Sequence, residues 1–94
     1  MKWRVIAPDD IASREWDGEL VVYNDATGHT HHLAPIGGKV LLALLGSSAG
    51  SEAFELTQGI AAALEIKDID VLVPAVEEAL HELEALGLAS ASSA

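Results

Sequence analysis

The spacing of apolar positions changes character part-way along the chain, from alternating short runs to a helical period. The first run, Trp3 to Ala7, is rich in aromatic and β-branched residues and is closed by Pro8-Asp9-Asp10, which predicts a strand ended by a turn. Asp10 to Gly18 is polar apart from Ile11 and Trp16 and is expected to be irregular, with Trp16 covering one end of the core. Glu19 to Asn24 (ELVVYN) carries the strongest strand signal in the chain. Asn24 to Gly28 supplies turn chemistry, with Gly28 suited to positive φ. His29 to Leu33 (HTHHL) returns as the partner strand, so the pair predicts a β-hairpin.

Beyond Pro35 the period becomes helical. Val40, Leu41, Leu44 and Leu45 share one face, and Gly46 with the serines after it stops the helix. A loop from Ser47 to Glu52 leads to a second, short helix on which Phe54, Leu56, Ile60, Ala63 and Leu64 recur, with Gly59 weakening its middle. The last helix runs near Leu72 to Leu86. Leu72, Val73, Val76, Ala79, Leu80, Leu83 and Leu86 occupy one continuous arc, wider than a coiled-coil seam, and Glu77, Glu78, His81, Glu82 and Glu84 lie outside it. Asp68 or Asp70 is its N-cap, Pro74 belongs in the first turn, and Gly87 is suited to follow its end. These elements predict an α+β fold: an N-terminal three-stranded antiparallel sheet followed by three helices in a unit of helix-turn-helix type. Residues 1–89 form one domain, and 90–94 are expected to be a disordered tail.

Composition narrows the function. A chain of 94 residues, half of them hydrophobic, folds as one domain with a small core. It has no cysteine, which removes disulfides and thiolate chemistry. There is no signal-peptide pattern and no run near the roughly 20 apolar residues of a membrane span, so a soluble, cytoplasmic protein is expected, with no membrane partner. Fifteen acids against five bases give a net charge of −10. The bases Lys2, Arg4, Arg14, Lys39 and Lys67 are scattered, so a phosphate backbone meets repulsion and nucleic acid is not an expected partner.

Three of the four histidines lie in the returning strand. On a strand, His29, His31 and Leu33 share one face and Thr30 and His32 the other. That places at most two imidazoles together, whereas zinc sites take three or four protein ligands, so no metal site and no cofactor are expected. Catalysis lacks its parts as well. There is no Gly-x-Ser-x-Gly elbow, and Gly37-Gly38-Lys39 lacks both the leading glycine and the following Ser or Thr of a phosphate loop, reading instead as a flexible helix start. The paired glutamates of the last helix read as a solvated face. No enzyme is expected.

The edge of the sheet remains. In a three-stranded meander the His29–Leu33 strand is an edge, without the lysines that usually blunt one. An extended peptide can add there as a fourth strand through His29, Thr30, His31, His32 and Leu33. The apolar arc of the last helix would form the groove beside it, through Leu72, Ala75, Val76, Ala79 and Leu83. Three or four main-chain hydrogen bonds at about 0.5–1.5 kcal/mol each fall short of the about 8 kcal/mol that micromolar binding requires. Two or three apolar anchors must therefore supply the rest, with basic residues nearby to meet the acidic surface. The alternatives are a structural module that forms a homodimer through the same edge or arc, and a DNA-binding winged helix. The latter suffers from a last helix with four glutamates and no Lys or Arg.

The stretch EWDGELVVYNDATGHTHHLAP, with the Trp3 strand before it and the Leu83, Gly87, Leu88 ending after it, resembles the PqqD-like family. Within that family it looks most like the small PqqD-type proteins found beside HPr-kinase-related proteins. The resemblance implies a winged-helix-like domain, a RiPP recognition element: a non-catalytic peptide chaperone that holds the leader of a ribosomally made precursor peptide and presents it to a modifying enzyme. The leader would lie along the third strand and the third helix, here His29 to Leu33 and the Leu72–Leu83 stretch.

Overall fold

The computed structural model describes residues 1–47 and 49–92. Five strands and three helices follow one another as β1 (Lys2–Val5), β2 (Ile11–Trp16), β3 (Glu19–Asn24), β4 (His29–Leu33), α1 (Pro35–Leu45), α2 (Ala53–Leu64), α3 (Ile69–Ala85) and β5 (Ala89–Ser92), with a 3-10 turn at Pro8–Asp10. The α+β class, the three-stranded antiparallel sheet and the three helices agree with the sequence reading. The identity of one strand does not.

The three-stranded sheet has the order β2-β3-β4, so its first strand is Ile11–Trp16 rather than the Trp3 run. Residues 11–16 show no apolar alternation because most of this strand faces solvent on both sides. What makes it a strand is its turn. Asp17 and Gly18 both adopt positive φ, 52° and 81°, the backbone of a two-residue hairpin turn whose twist matches its flanking strands. Trp16 ends β2 with 69% of its surface exposed, so it does not cover the core.

The Trp3 strand pairs elsewhere. β1 forms a two-stranded antiparallel sheet with β5, Trp3 opposite Ala91 and Val5 opposite Ala89. On its other edge Trp3 exchanges two backbone hydrogen bonds with Ser51, at 2.7 and 2.9 Å. Residues 90–92, expected to fray, are thus held by backbone pairing that small side chains do not prevent; residues 93 and 94 lie outside the described residues. Gly87 directs the chain into β5. At φ 75° it closes α3 with Gly87 N–H donating to the Glu84 carbonyl and Leu88 N–H to that of Leu83, and Leu88 is buried.

α3 starts earlier than the apolar arc. Asp68 is its N-cap, accepting from the Asp70 N–H at 3.2 Å, so Pro74 lies inside the helix rather than in its first turn. Pro74 is exposed, which leaves the carbonyl freed at Asp70 within reach of water. α2 opens with the Glu52 N–H donating to the Glu55 side chain at 3.1 Å.

The core is one cluster between the β3–β4 face and the helices. Leu20, Val22 and Leu33 contribute from the sheet, Val40, Leu41 and Leu44 from α1, and Leu72, Val76, Leu80 and Leu83 from α3. α1 lies directly on β3 and β4, and α3 packs on α1 and α2. Gly37 and Gly38, read as a flexible helix start, are buried helical residues at the point of closest approach. A Cβ on Gly38 would stand 2.8 Å from the Cβ of Leu20, closer than side chains tolerate. Gly59 in α2, by contrast, has nothing within 4 Å of the position a Cβ would take.

These two glycines should respond oppositely to the same change. Overpacking costs about 1–3 kcal/mol, partly offset by the about 0.5–1 kcal/mol gained when alanine replaces glycine in a helix. Gly38→Ala is expected to destabilise by about 1–2 kcal/mol and Gly59→Ala to stabilise by about 0.5–1 kcal/mol. Thermal melts should show the first variant lower by about 4–16 °C and the second higher by a few degrees.

Candidate functional site

The β3–β4 hairpin is built by its turn. Asn24 is buried, and its Oδ1 accepts the Ala26 N–H at 3.0 Å while its carbonyl accepts from Thr27 and Gly28 at 3.3 and 2.8 Å. Gly28, at φ 77°, turns the chain, and the His29 N–H donates to Thr27 Oγ1 at 3.3 Å. The register then pairs His29 with Asn24, Thr30 with Tyr23, His31 with Val22, His32 with Val21 and Leu33 with Leu20.

Because the opposing β3 residues Leu20, Val22 and Asn24 are buried, the odd-numbered residues of β4 point to the core side. Leu33 is buried under α1, His31 is half-buried at the core margin, and His29 is exposed beyond it. The two imidazoles meet edge to face, with ring centroids 6.1 Å apart and planes at 76°. Thr30 and His32 are exposed on the outer face. Among the described residues no three His, Asp or Glu side chains converge as a metal set.

β4 has β3 on one side and no strand on the other among the described residues. The outward N–H and C=O groups of His29–Leu33 therefore form a free rim. This was the geometric condition for strand addition, and the five β4 residues named from sequence lie along that rim together.

The helix half of the expected groove is arranged differently. Leu72, Val76, Ala79 and Leu83 are buried in the core against the other helices, so the wide apolar arc is consumed by folding and offers almost no surface to a peptide. Ala75 is half-buried at the margin of the arc. The apolar side chains that α3 does expose are Val71, 71% exposed, and Leu86. With Ala75 and Glu82 they lie within about 60° of the helix circumference. The opposite flank carries Glu77 and His81, which face β1: the His81 ring stands edge-on to Trp3 with centroids 5.8 Å apart, and His81 Nδ1 lies 3.9 Å from a Glu84 carboxylate oxygen. Ala75 and Leu86 were among the helix residues named from sequence, whereas Val71 was missed because the sequence arc was centred on the residues that fill the core. Its signal was the surplus of apolar positions beyond what one core-facing stripe requires. α3 also exposes Glu77, Glu78, Glu82 and Glu84 and carries no Lys or Arg, which opposes docking in a DNA groove.

No helix among the described residues is long and apolar enough to cross a membrane. No protein-family model and no curated protein matches the chain. Solved structures do. TbiB1 in complex with the TbiA(beta) leader peptide superposes with a TM-score of 0.70 at 20% identity, over 97% of this chain and 99% of that one. Lasso peptide synthetase B1 complexed with the leader peptide gives a TM-score of 0.68 at 13% identity, over 97% of this chain and 100% of that one. At these identities the shared property is the fold, and it is shared from end to end.

A free rim has a measurable signature. Amides of β4 that point away from β3 should exchange with solvent much faster than those that bond to it, so protection along His29–Leu33 should alternate with a period of two in hydrogen-exchange NMR. Uniform protection across the strand would mean the rim is occupied.

Proposed function

We propose that this protein is a non-catalytic peptide-binding module that takes the leader segment of a ribosomally made precursor as an added strand on β4 and presents it to a separate modifying enzyme. The observation that carries the proposal is the unpaired rim of His29–Leu33 on a fold shared throughout with two proteins solved with leader peptides bound. The likeness of EWDGELVVYNDATGHTHHLAP to PqqD-like proteins supports the same reading, and we place the chain with those found beside HPr-kinase-related proteins. The work would be done in the cytoplasm, where precursor peptides are made.

The chemistry follows from the edge. Main-chain pairing holds the peptide and sets its direction, and its side chains alternate between the His29/His31 face and the Thr30/His32 face. Backbone bonds alone give too little, so affinity depends on apolar anchors. We assign these anchors to the side of α3 that exposes Val71 and Leu86, with half-buried Ala75 between them, in place of the buried Leu72, Val76, Ala79 and Leu83. Glu82 on the same flank favours a peptide with a basic residue beside its anchors. The domain contributes positioning, and bond-making falls to the partner enzyme.

Calorimetric titration with synthetic leader segments, taken from short precursor reading frames next to this gene, tests the reading. A micromolar complex is expected with the cognate leader. N-methylation of alternate peptide amides should weaken it about tenfold or more in one register and little in the other, since only one set faces β4. Val71→Asp should weaken it about tenfold with an unchanged melt, because Val71 is exposed. Absence of binding by any neighbouring leader at about 1 mM would overturn the proposal.

A further inference from the structure

The three-stranded sheet has a second face, turned away from the helices. Because Leu20, Val22 and Asn24 of β3 point to the core, Glu19, Val21 and Tyr23 point outward. The register sets Arg14 and His32 on either side of Val21, Ala12 and Thr30 on either side of Tyr23, and Trp16 opposite Glu19. Trp16 is 69% exposed and Tyr23 45%, and Arg14, Thr30 and His32 are exposed with them. An open hollow of about 250 Å³ is lined in part by Arg14, Val21 and Tyr23. Among the described residues the side chains of Arg14, Trp16 and Tyr23 make no hydrogen bond, ion pair or ring contact, so the fold itself does not engage them.

Trp, Tyr and Arg are the residue types that carry most of the energy at protein–protein interfaces. Here all three are displayed on one side of one sheet. Its strands add one base, Arg14, and one acid, Glu19, to this face, with Asp17 and Asp25 in the turns at its two ends. Arg14 is thus a positive centre on a protein of net charge −10, and the matching surface is apolar around a carboxylate. The face also runs without a break to β4, because Thr30 and His32 belong to it. A leader added on the free rim becomes the next strand, and every second side chain of it continues the same face. A protein resting here touches the domain and the bound leader together.

From these observations we infer that the outward face of β2–β3–β4 is the docking surface for the modifying enzyme, with Trp16 and Tyr23 in apolar seats and Arg14 against a carboxylate of that enzyme. The inference rests on the peptide-binding reading for its choice of partner. It makes the two binding events interdependent. An enzyme that contacts the outward side chains of the leader raises the affinity of the leader, and the leader raises that of the enzyme by the same factor. The two contacts are nonetheless separable. Arg14 and Trp16 lie on β2, at the far edge of the sheet from β4 and about 14 Å from a strand added there. Substitutions at these two positions therefore reach the enzyme and not the leader.

Calorimetry with the purified modifying enzyme encoded beside this gene tests this, with and without a saturating leader segment that stops short of the residues to be modified. The expected result is a micromolar complex that tightens several-fold when the leader is present. Trp16→Ala and Arg14→Glu should each weaken enzyme binding about tenfold or more, and Arg14→Lys less than Arg14→Glu, with leader affinity and melting temperature unchanged. Enzyme binding that both variants retain in full overturns the inference, as does an affinity indifferent to the leader, or no complex at about 100 μM. Sedimentation that shows this chain paired with itself through Trp16 assigns the face to a second copy and overturns it too. A leader that binds normally while enzyme docking fails these tests sinks this inference alone. A leader that does not bind at all removes the choice of partner and sinks the peptide-binding reading with it.

Discussion

The architecture depends on how near α1 comes to β3, and that nearness depends on Gly38 having no side chain. With hydrogen in place of a methyl, the helix backbone rests against Leu20. Pro35 starts the helix immediately after β4, so α1 has little freedom except to fold back over the strands it follows. One face of the hairpin is thereby committed to the core, and the in–out sense of every β3 and β4 side chain is fixed with it. α3 then packs on α1 and α2, and the outer edge of β4 is left uncovered.

That open edge would be a hazard in many proteins, since unpaired strands invite aggregation. Here it is short, five residues, in a protein with a net charge of −10. Repulsion between copies discourages edge-to-edge pairing, while an extended segment of neutral or positive charge meets no such barrier.

The second sheet shows how little side-chain character a strand needs when its ends are tied. Ser90, Ala91 and Ser92 have neither bulk nor β-branching, yet they pair with Lys2 to Arg4 because the α3 cap at Gly87 aims the chain along β1. Trp3 is held from both sides, by β5 and by Ser51, so the N-terminal strand acts as a clasp that joins the end of α3 to the loop before α2. A propensity argument has no access to such pairing, because the partners are more than eighty residues apart.

What the sequence determined by itself was whatever local periodicity and local chemistry can encode. The β3 and β4 strands, their glycine turn, the three helices, a cap at Asp68 or Asp70, the Gly87 stop and the core face of α3 were all legible, as was β4 as a sheet edge. Tertiary structure decided the rest. It recruited Ile11–Trp16 as the third strand through a two-residue turn. It moved the Trp3 strand to a partner at the other end of the chain. It turned Gly37 and Gly38 from a loose helix start into buried helical residues, with no room for a Cβ on Gly38 beside Leu20. It also buried Leu72, Val76, Ala79 and Leu83 and left Val71, Ala75 and Leu86 as the accessible flank. A residue's neighbours along the chain set its conformation, but whether an apolar side chain fills a core or lines a groove depends on which distant layers close over it.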